Sequence, residues 1–423
     1  MSDTHRTIEA VWRIEQAKVI AKLSRMLRDV GLAEELAQDA LVAALEQWPH
    51  KGMPDNPGAW LMATAKNRAI DRLRQQQLHA AKEGEIGREL DDRHGDAALQ
   101  QEAAMDDDIG DDMLRLVFIA CHPVLSTDAR VALTLRLLGG LTTDEIARAF
   151  LLPEATIAQR IVRAKRTLSE AQVPFEAPRA DELAARLASV LEVVYLVFNE
   201  GYSATAGDDW MRPALCDEAL RLGRVVAGLV PAEPEVHGLV ALMEIQASRA
   251  PARTAPDGTP ILLLEQNRAR WDALLIRRGL AALERAEALG GARGRYALQA
   301  AIAACHARAR TADQTDWPRI AALYGALAQV APSPLVELNR AVAVGMAWGP
   351  AAGLEIADTL QSEPLMKNYH LLPSVRGDLL AKLGRHAEAQ AAFHQAAGLT
   401  RNAREQALLR ARAQALPTQR TTE

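Results

Sequence analysis

The chain has 423 residues, a formal net charge of −5, 49% hydrophobic and 24% charged side chains. That balance is that of a soluble globular protein of two to four domains and excludes a disordered or collagen-like chain. Three cysteines without paired spacing exclude a disulfide framework; with no signal-peptide core in MSDTHRTIEA and no run of ~18 apolar residues, a cytoplasmic location is expected.

Alanine and leucine are abundant and β-branched runs are sparse, which favours an all-α fold. Residues 8–48 read as helices. LAEELAQDALVAALEQW sets Leu32, Leu36, Ala40, Leu41, Ala44, Leu45 and Trp48 on one face and Glu35, Gln38, Asp39, Val42 and Glu46 on the other. Pro49, Gly52, Pro54 and Asp55-Asn56-Pro57-Gly58 form a loop. A helix follows over 59–77, with Met62, Ala65, Ala69 and Leu73 inside and Lys66, Asn67, Arg68, Arg72 and Arg74 outside. Trp60, at its start, reads as core.

Charge is unevenly distributed. Residues 1–78 carry 11 basic and 10 acidic side chains, residues 79–112 carry 3 and 12, residues 113–172 carry 8 and 5, and residues 173–423 carry 27 of each. Apolar periodicity fades over 79–112, which reads as an acidic, mobile linker. Its MDDDIGDD end lacks the order of a calcium loop, so no metal is expected there.

Residues 141–168 read LTTDEIARAFLLPEATIAQRIVRAKRTL. Thr142 or Thr143 is a natural N-cap, with Asp144 and Glu145 in the first turn. Ile146, Ala147 and Phe150 can close on a second helix, and Leu151-Leu152-Pro153 breaks the chain between the two. In that second helix Ile157, Ile161, Ala164 and Leu168 form a buried stripe, opposite Thr156, Gln159, Arg160, Arg163 and Arg166, with Lys165 nearby. This is the plan of a helix-turn-helix, whose second helix enters the DNA major groove. The plainer reading is a helical hairpin with a solvated basic face.

Beyond Gln172-Val173-Pro174 and Ala177-Pro178, helices of about 10–20 residues alternate with Gly and Pro. GDLLAKLGRHAEAQAAFHQAAGL has small residues at Gly377, Gly384, Ala389 and Ala396 and a bulky Phe393, the order of a tetratricopeptide helix pair. A weaker echo starts at Leu335. Asn199-Glu200-Gly201-Tyr202 fits two readings, a ligand pocket or a helix end capped by Asn199 and Gly201. His122 beside Cys121 and His306 beside Cys305 are poor metal pairs, because adjacent side chains diverge on a helix. No nucleophile–base pair or phosphate-binding glycine loop stands out, so neither enzyme activity nor a cofactor is expected.

EELAQDALVAALEQWP and PGAWLMATAKNRAIDRLRQQQ resemble sigma factor region 2, and LTTDEIARAFLLPEATIAQRIVRAKRTL resembles region 4. Their order and short spacing resemble the extracytoplasmic-function (ECF) sigma factors of bacteria, over roughly residues 8–78 and 113–170. YLVFNEGY at 195–202 and the tetratricopeptide-like end resemble the long extension of one ECF subgroup. The resemblance implies four segments. They are a region 2 bundle (1–78), a linker (79–112), a region 4 helix-turn-helix (113–172) and a helical extension (173–423) that modulates activity.

It also implies partners and roles. Glu35, Gln38, Asp39 and Val42 would face core RNA polymerase. Lys66, Asn67, Arg68, Arg72 and Arg74 would meet the −10 promoter element, with cations for phosphates and polar groups for unstacked bases. Gln159, Arg160 and Arg163 would read −35 bases, while Thr156, Lys165 and Arg166 meet phosphates. The alternative is a helix-turn-helix regulator with a tetratricopeptide-like sensor domain that leaves polymerase alone.

Overall fold

The computed structural model describes residues 3–83, 109–150, 152–204 and 206–417. The described residues are mostly α-helical; the exceptions are a two-residue strand pair, the turns between helices, and an irregular stretch over 248–272 that holds short 3-10 turns and one isolated bridge between Thr254 and Pro260. They divide into two compact units, Met1–Val194 and Tyr195–Glu423.

In the first unit, α1 (Asp3–Leu27), α2 (Val30–Lys51) and α3 (Pro57–Glu83) pack on one another. Asp29 starts α2, its carboxylate accepting the amides of Gly31 and Leu32, and Gly52 ends it at φ 83°. Ala33, Ala37, Ala40 and Ala44 form the buried stripe of α2, and Ile20 and Leu23 of α1 are buried with them. Small residues on one helix and large ones on its neighbours allow close helix contact at native density. Trp60, only half-buried, meets the buried Trp48 edge-on at 5.3 Å.

The same unit contains α4 (Ile109–Ala120), α5 (Thr127–Leu137), α6 (Thr143–Phe150) and α7 (Glu154–Glu170). A capping box opens α6. The Thr142 amide donates to Glu145 at 2.8 Å, and the Glu145 amide donates back to the Thr142 hydroxyl at 3.1 Å. Ile146 and Ala147 are buried, as are Ile157, Ile161, Ala164 and Leu168 on α7.

Helix α8 (Ala180–Tyr202) begins in the first unit. Arg186 donates to the Phe118 carbonyl at 2.8 Å, Ser189 donates to the Cys121 carbonyl at 2.6 Å, and Arg130 pairs with Glu192 at 3.2 Å. Residues 180–194, expected in the extension, therefore complete the packing around α4 and α5. The linker expected over 79–112 ends inside helices, with 79–83 in α3 and 109–112 in α4; residues 84–108 lie outside the described residues.

The second unit continues as paired helices. Gly377 of the helix Leu371–Lys382 lies so close to Phe393 of His386–Leu399 that a Cβ there would sit 2.8 Å from the ring. Gly384 turns the chain between them at φ 74°. Ala389 and Ala396 are fully buried, so the small-residue pattern marks a close helix pair. A parallel strand pair joins Ala206–Gly207 to Arg401–Asn402. Asn402 secures it, donating to the carbonyls of Ala204 (3.2 Å) and Asp209 (2.8 Å).

Candidate nucleic-acid interface

Helix α7 presents two kinds of surface. With its stripe of Ile157, Ile161, Ala164 and Leu168 turned inward, Gln159, Arg163 and Arg166 are exposed. Among the described residues Arg163 has no acidic partner, whereas Arg166 pairs with Glu170 at 3.4 Å and Arg160, half-buried, pairs with Asp128 at 3.0 Å. Thr156 is half-buried near the helix start. Val162 shares the exposed face at 64% exposure, a residue absent from the sequence reading although its position beside Arg163 was available. An apolar side chain among polar ones on such a helix suits a thymine methyl group.

Lys165 stands apart from this face. It lies against Glu34 of α2, which is 4% exposed and also accepts from Arg136 of α5 at 2.6 Å and from Gln38 at 2.8 Å. Glu34 thus joins the first three helices to α5 and α7. Its position three residues before Ala37 and seven before Leu41 places it on the apolar stripe, the one available sign of an acid turned inward.

A second carboxylate repeats the arrangement. Asp112 of α4, expected in the linker, is 1% exposed and faces Arg115 (2.7 Å), Arg25 (3.7 Å) and Lys22 (4.0 Å). Burial raises its pKa against the opposing pull of Arg25, Lys22 and Arg115. Near the middle of α1, Arg13 pairs with Glu145. Against the desolvation of partial burial, the Thr142 amide and Arg13 hold the Glu145 carboxyl below its ordinary value.

On α3, Asn67 and Arg72 are exposed, and Lys66 is half-buried. Arg74 lies 3.9 Å from Asp71. Arg68 pairs with Asp39 of α2 at 3.2 Å, so the two surfaces expected to meet different partners share an ion pair. Glu35 and Val42 are exposed beside Asp39, with Val42 at 50%.

Residues 12–79 match the Sigma-70 region 2 family, and residues 115–168 match the Sigma-70, region 4 family. The chain is 30% identical over 155 residues to the ECF RNA polymerase sigma factor SigK of Mycobacterium ulcerans (strain Agy99), covering 78% of that protein and 36% of this one. The chain belongs to the ECF sigma factor family. It is also 26% identical over 169 residues to the probable ECF RNA polymerase sigma factor SigI of Mycobacterium tuberculosis (strain CDC 1551 / Oshkosh), 40% of this chain and 57% of that one.

The resemblance to uncharacterized protein R00370 of Rhizobium meliloti (strain 1021) runs much further, at 44% identity over 394 residues, 93% of this chain and 92% of the relative. Residues 186–287 match a family of unknown function (DUF6596). No solved structure matches the chain. This ECF sigma factor is therefore a DNA-binding protein of transcription initiation, carrying a long helical extension behind its two sigma regions.

Proposed function

We propose that this sigma factor binds core RNA polymerase through Glu35, Gln38, Asp39 and Val42, engages the −10 element through Lys66, Asn67, Arg68, Arg72 and Arg74, and reads the −35 element through α7. The exposed face of α7 carries the reading. Gln159, Val162 and Arg163 supply an adenine-pairing amide, a methyl contact and a guanine-pairing fork, and Thr156 and Arg166 lie where phosphates would pass. RNA synthesis itself belongs to the polymerase.

The contacts through Glu34 and Asp112 add a condition. Two promoter elements named −35 and −10 are centred about 25 base pairs apart, about 85 Å at about 3.4 Å per base pair. Region 2 and region 4 touching through Glu34 cannot reach both on straight duplex. Promoter engagement therefore requires the two regions to part, and Lys165, held by Glu34 until then, becomes free to meet a phosphate.

The extension modulates this activity in our reading. Its support is α8, whose first half packs against α4 and α5 while the same helix runs on to Tyr202 in the second unit. In-vitro transcription with core polymerase on a library of promoter variants tests the proposal. Sequence-dependent initiation that needs Arg163 and Asp39 supports it; binding of promoter DNA with no association with core enzyme overturns it.

A further inference from the structure

The extension's interior holds arginines that no carboxylate among the described residues pairs with. Arg249 and Arg253 are 8% and 6% exposed, and Arg268 is half-buried. None of the three has a carboxylate within 4.0 Å among the described residues. Arg253 donates to the Tyr202 carbonyl, and Arg268 donates to the carbonyls of His306 and Ala309 and to Thr315. The Arg249 guanidinium has no hydrogen-bond acceptor among the described residues, and its buried Nε is unpaired.

What surrounds Arg249 is aromatic. Its guanidinium lies 5.7 Å from the Tyr202 ring and 5.9 Å from the Trp271 ring. The Arg253 guanidinium lies over the Tyr202 ring at 3.6 Å, and that of Arg268 lies 5.0 Å from the Trp271 ring. Tyr202 itself stacks on Phe198 at 5.7 Å. Among the described residues the buried donors Trp271 Nε1 and Arg268 Nε, and the His306 ring nitrogen Nδ1, have no hydrogen-bond partner.

The chain has five tyrosines, and all of them fall in this unit. Tyr195 meets Tyr296 edge-on at 5.4 Å. Burial and the proximity of Tyr195 push the Tyr324 phenol up to about 12, with Arg249 pulling the other way. Burial, Arg249 and Arg268 push His306 down to about 3. Arg249 thus sits electrostatically among Tyr324, His306 and Arg268, and the acid whose charge reaches this cluster, Asp313, acts on Arg268 rather than pairing with Arg249.

A buried charge without a partner costs several kcal/mol, and a guanidinium does not escape by losing its proton. Stacking on rings returns only part of that cost. A guanidinium beside aromatic rings is the chemistry that receives a carboxylate or phosphate bidentately. We propose that the interior of the extension is a binding site for a small organic oxyanion, a carboxylate or phosphate on a planar body, anchored by Arg249 and walled by Tyr202 and Trp271. The Asn199-Glu200-Gly201-Tyr202 segment then serves the site by delivering Tyr202. Gly201 allows this, since a Cβ there would lie 2.6 Å from the Cys216 amide nitrogen.

The test is thermal unfolding of the full-length protein with sodium benzoate, phenyl phosphate or sodium chloride at matched ionic strength. Benzoate and phenyl phosphate carry one planar body with different head groups and so distinguish carboxylate from phosphate. A saturable rise in Tm with either one, beyond that with chloride, is expected for the wild type and should be absent in Arg249→Met. Should Arg249→Met fail to fold, Arg249→Lys keeps the charge without the fork and is expected to bind at least about tenfold more weakly. A response no larger than that to chloride, or one undiminished in the Arg249 variants, overturns the proposal.

Discussion

Replacing Glu34 by Gln tests whether contact between region 2 and region 4 restrains this sigma factor. The carboxylate is 4% exposed and serves Arg136 and Lys165 together, each with 22% of its side chain exposed. Removing one partner of a fully buried ion pair costs about 3–5 kcal/mol; since water still reaches both cations, about 2–3 kcal/mol is the reasonable figure here. That loss shifts a two-state equilibrium by a factor of about 30 to 150. Dyes at Glu46→Cys and Glu170→Cys, one in each region, should report lower energy transfer in the Glu34→Gln protein. Transcription from a saturating amount of core enzyme should rise, by at most that factor. Unchanged energy transfer in a protein whose circular dichroism is native would refute the restraint, as would transcription that falls while core affinity holds.

Other outcomes follow from the same geometry. Arg163→Ala should lose about 1–3 kcal/mol at one promoter position, whereas Arg166→Ala should weaken all sequences alike and lower the salt slope by about 1; a promoter panel scored at several salt concentrations separates them. His306 is held neutral with a pKa of about 3, so the unfolded chain binds the extra proton and stability falls as pH drops from 6.5 towards 3, by about 1 kcal/mol between pH 7 and 5.5. His306→Asn should flatten that part of the pH dependence of Tm, and an unaltered slope would contradict the assignment. Burial pushes Cys121 up to about 11 and Cys216 up to about 12, so both thiols should resist iodoacetamide at pH 8 until the protein is denatured. A chain stopped after Glu176 loses Val190, Val193 and Val194, all buried, and should unfold at a lower temperature than one stopped after Tyr202; equal Tm values would mean that α8 contributes nothing to the first unit.

Helix α7 is readable in the sequence because Ile157, Ile161, Ala164 and Leu168 repeat at helical spacing with nothing polar among them. The same rule recovers the inner face of α2 only in part, with Leu36, Ala40, Ala44 and Trp48 buried as expected. Leu41 and Leu45 are only half-buried while Ala33, Ala37 and Ala43 are buried, because close helix packing selects small side chains over greasy ones. Glu34 and Asp112 escaped because a carboxylate reads as surface unless its partners are known. Arg136 and Lys165 are 102 and 131 positions away from Glu34 in the chain, further than local pattern can see. Asn199 and Gly201 suggested a cap, yet α8 runs through Tyr202; the glycine is there for its lack of a side chain, a need set by Cys216 in the next helix.

The ion pair between Asp39 and Arg68 makes the order of assembly a matter of bookkeeping between two surfaces. Both side chains are about half exposed, 53% and 40%, so the bond is worth only about 0.2–1 kcal/mol. On the contacts proposed above, a polymerase cation on Asp39 would compete with Arg68, and a promoter phosphate on Arg68 would compete with Asp39. Each partner thereby removes a competitor of the other, and by reciprocity the gain is equal in both directions. On the proposed contacts, the free protein would keep a small part of its affinity for stray DNA folded into itself and would become a slightly better ligand for promoters once polymerase is in hand.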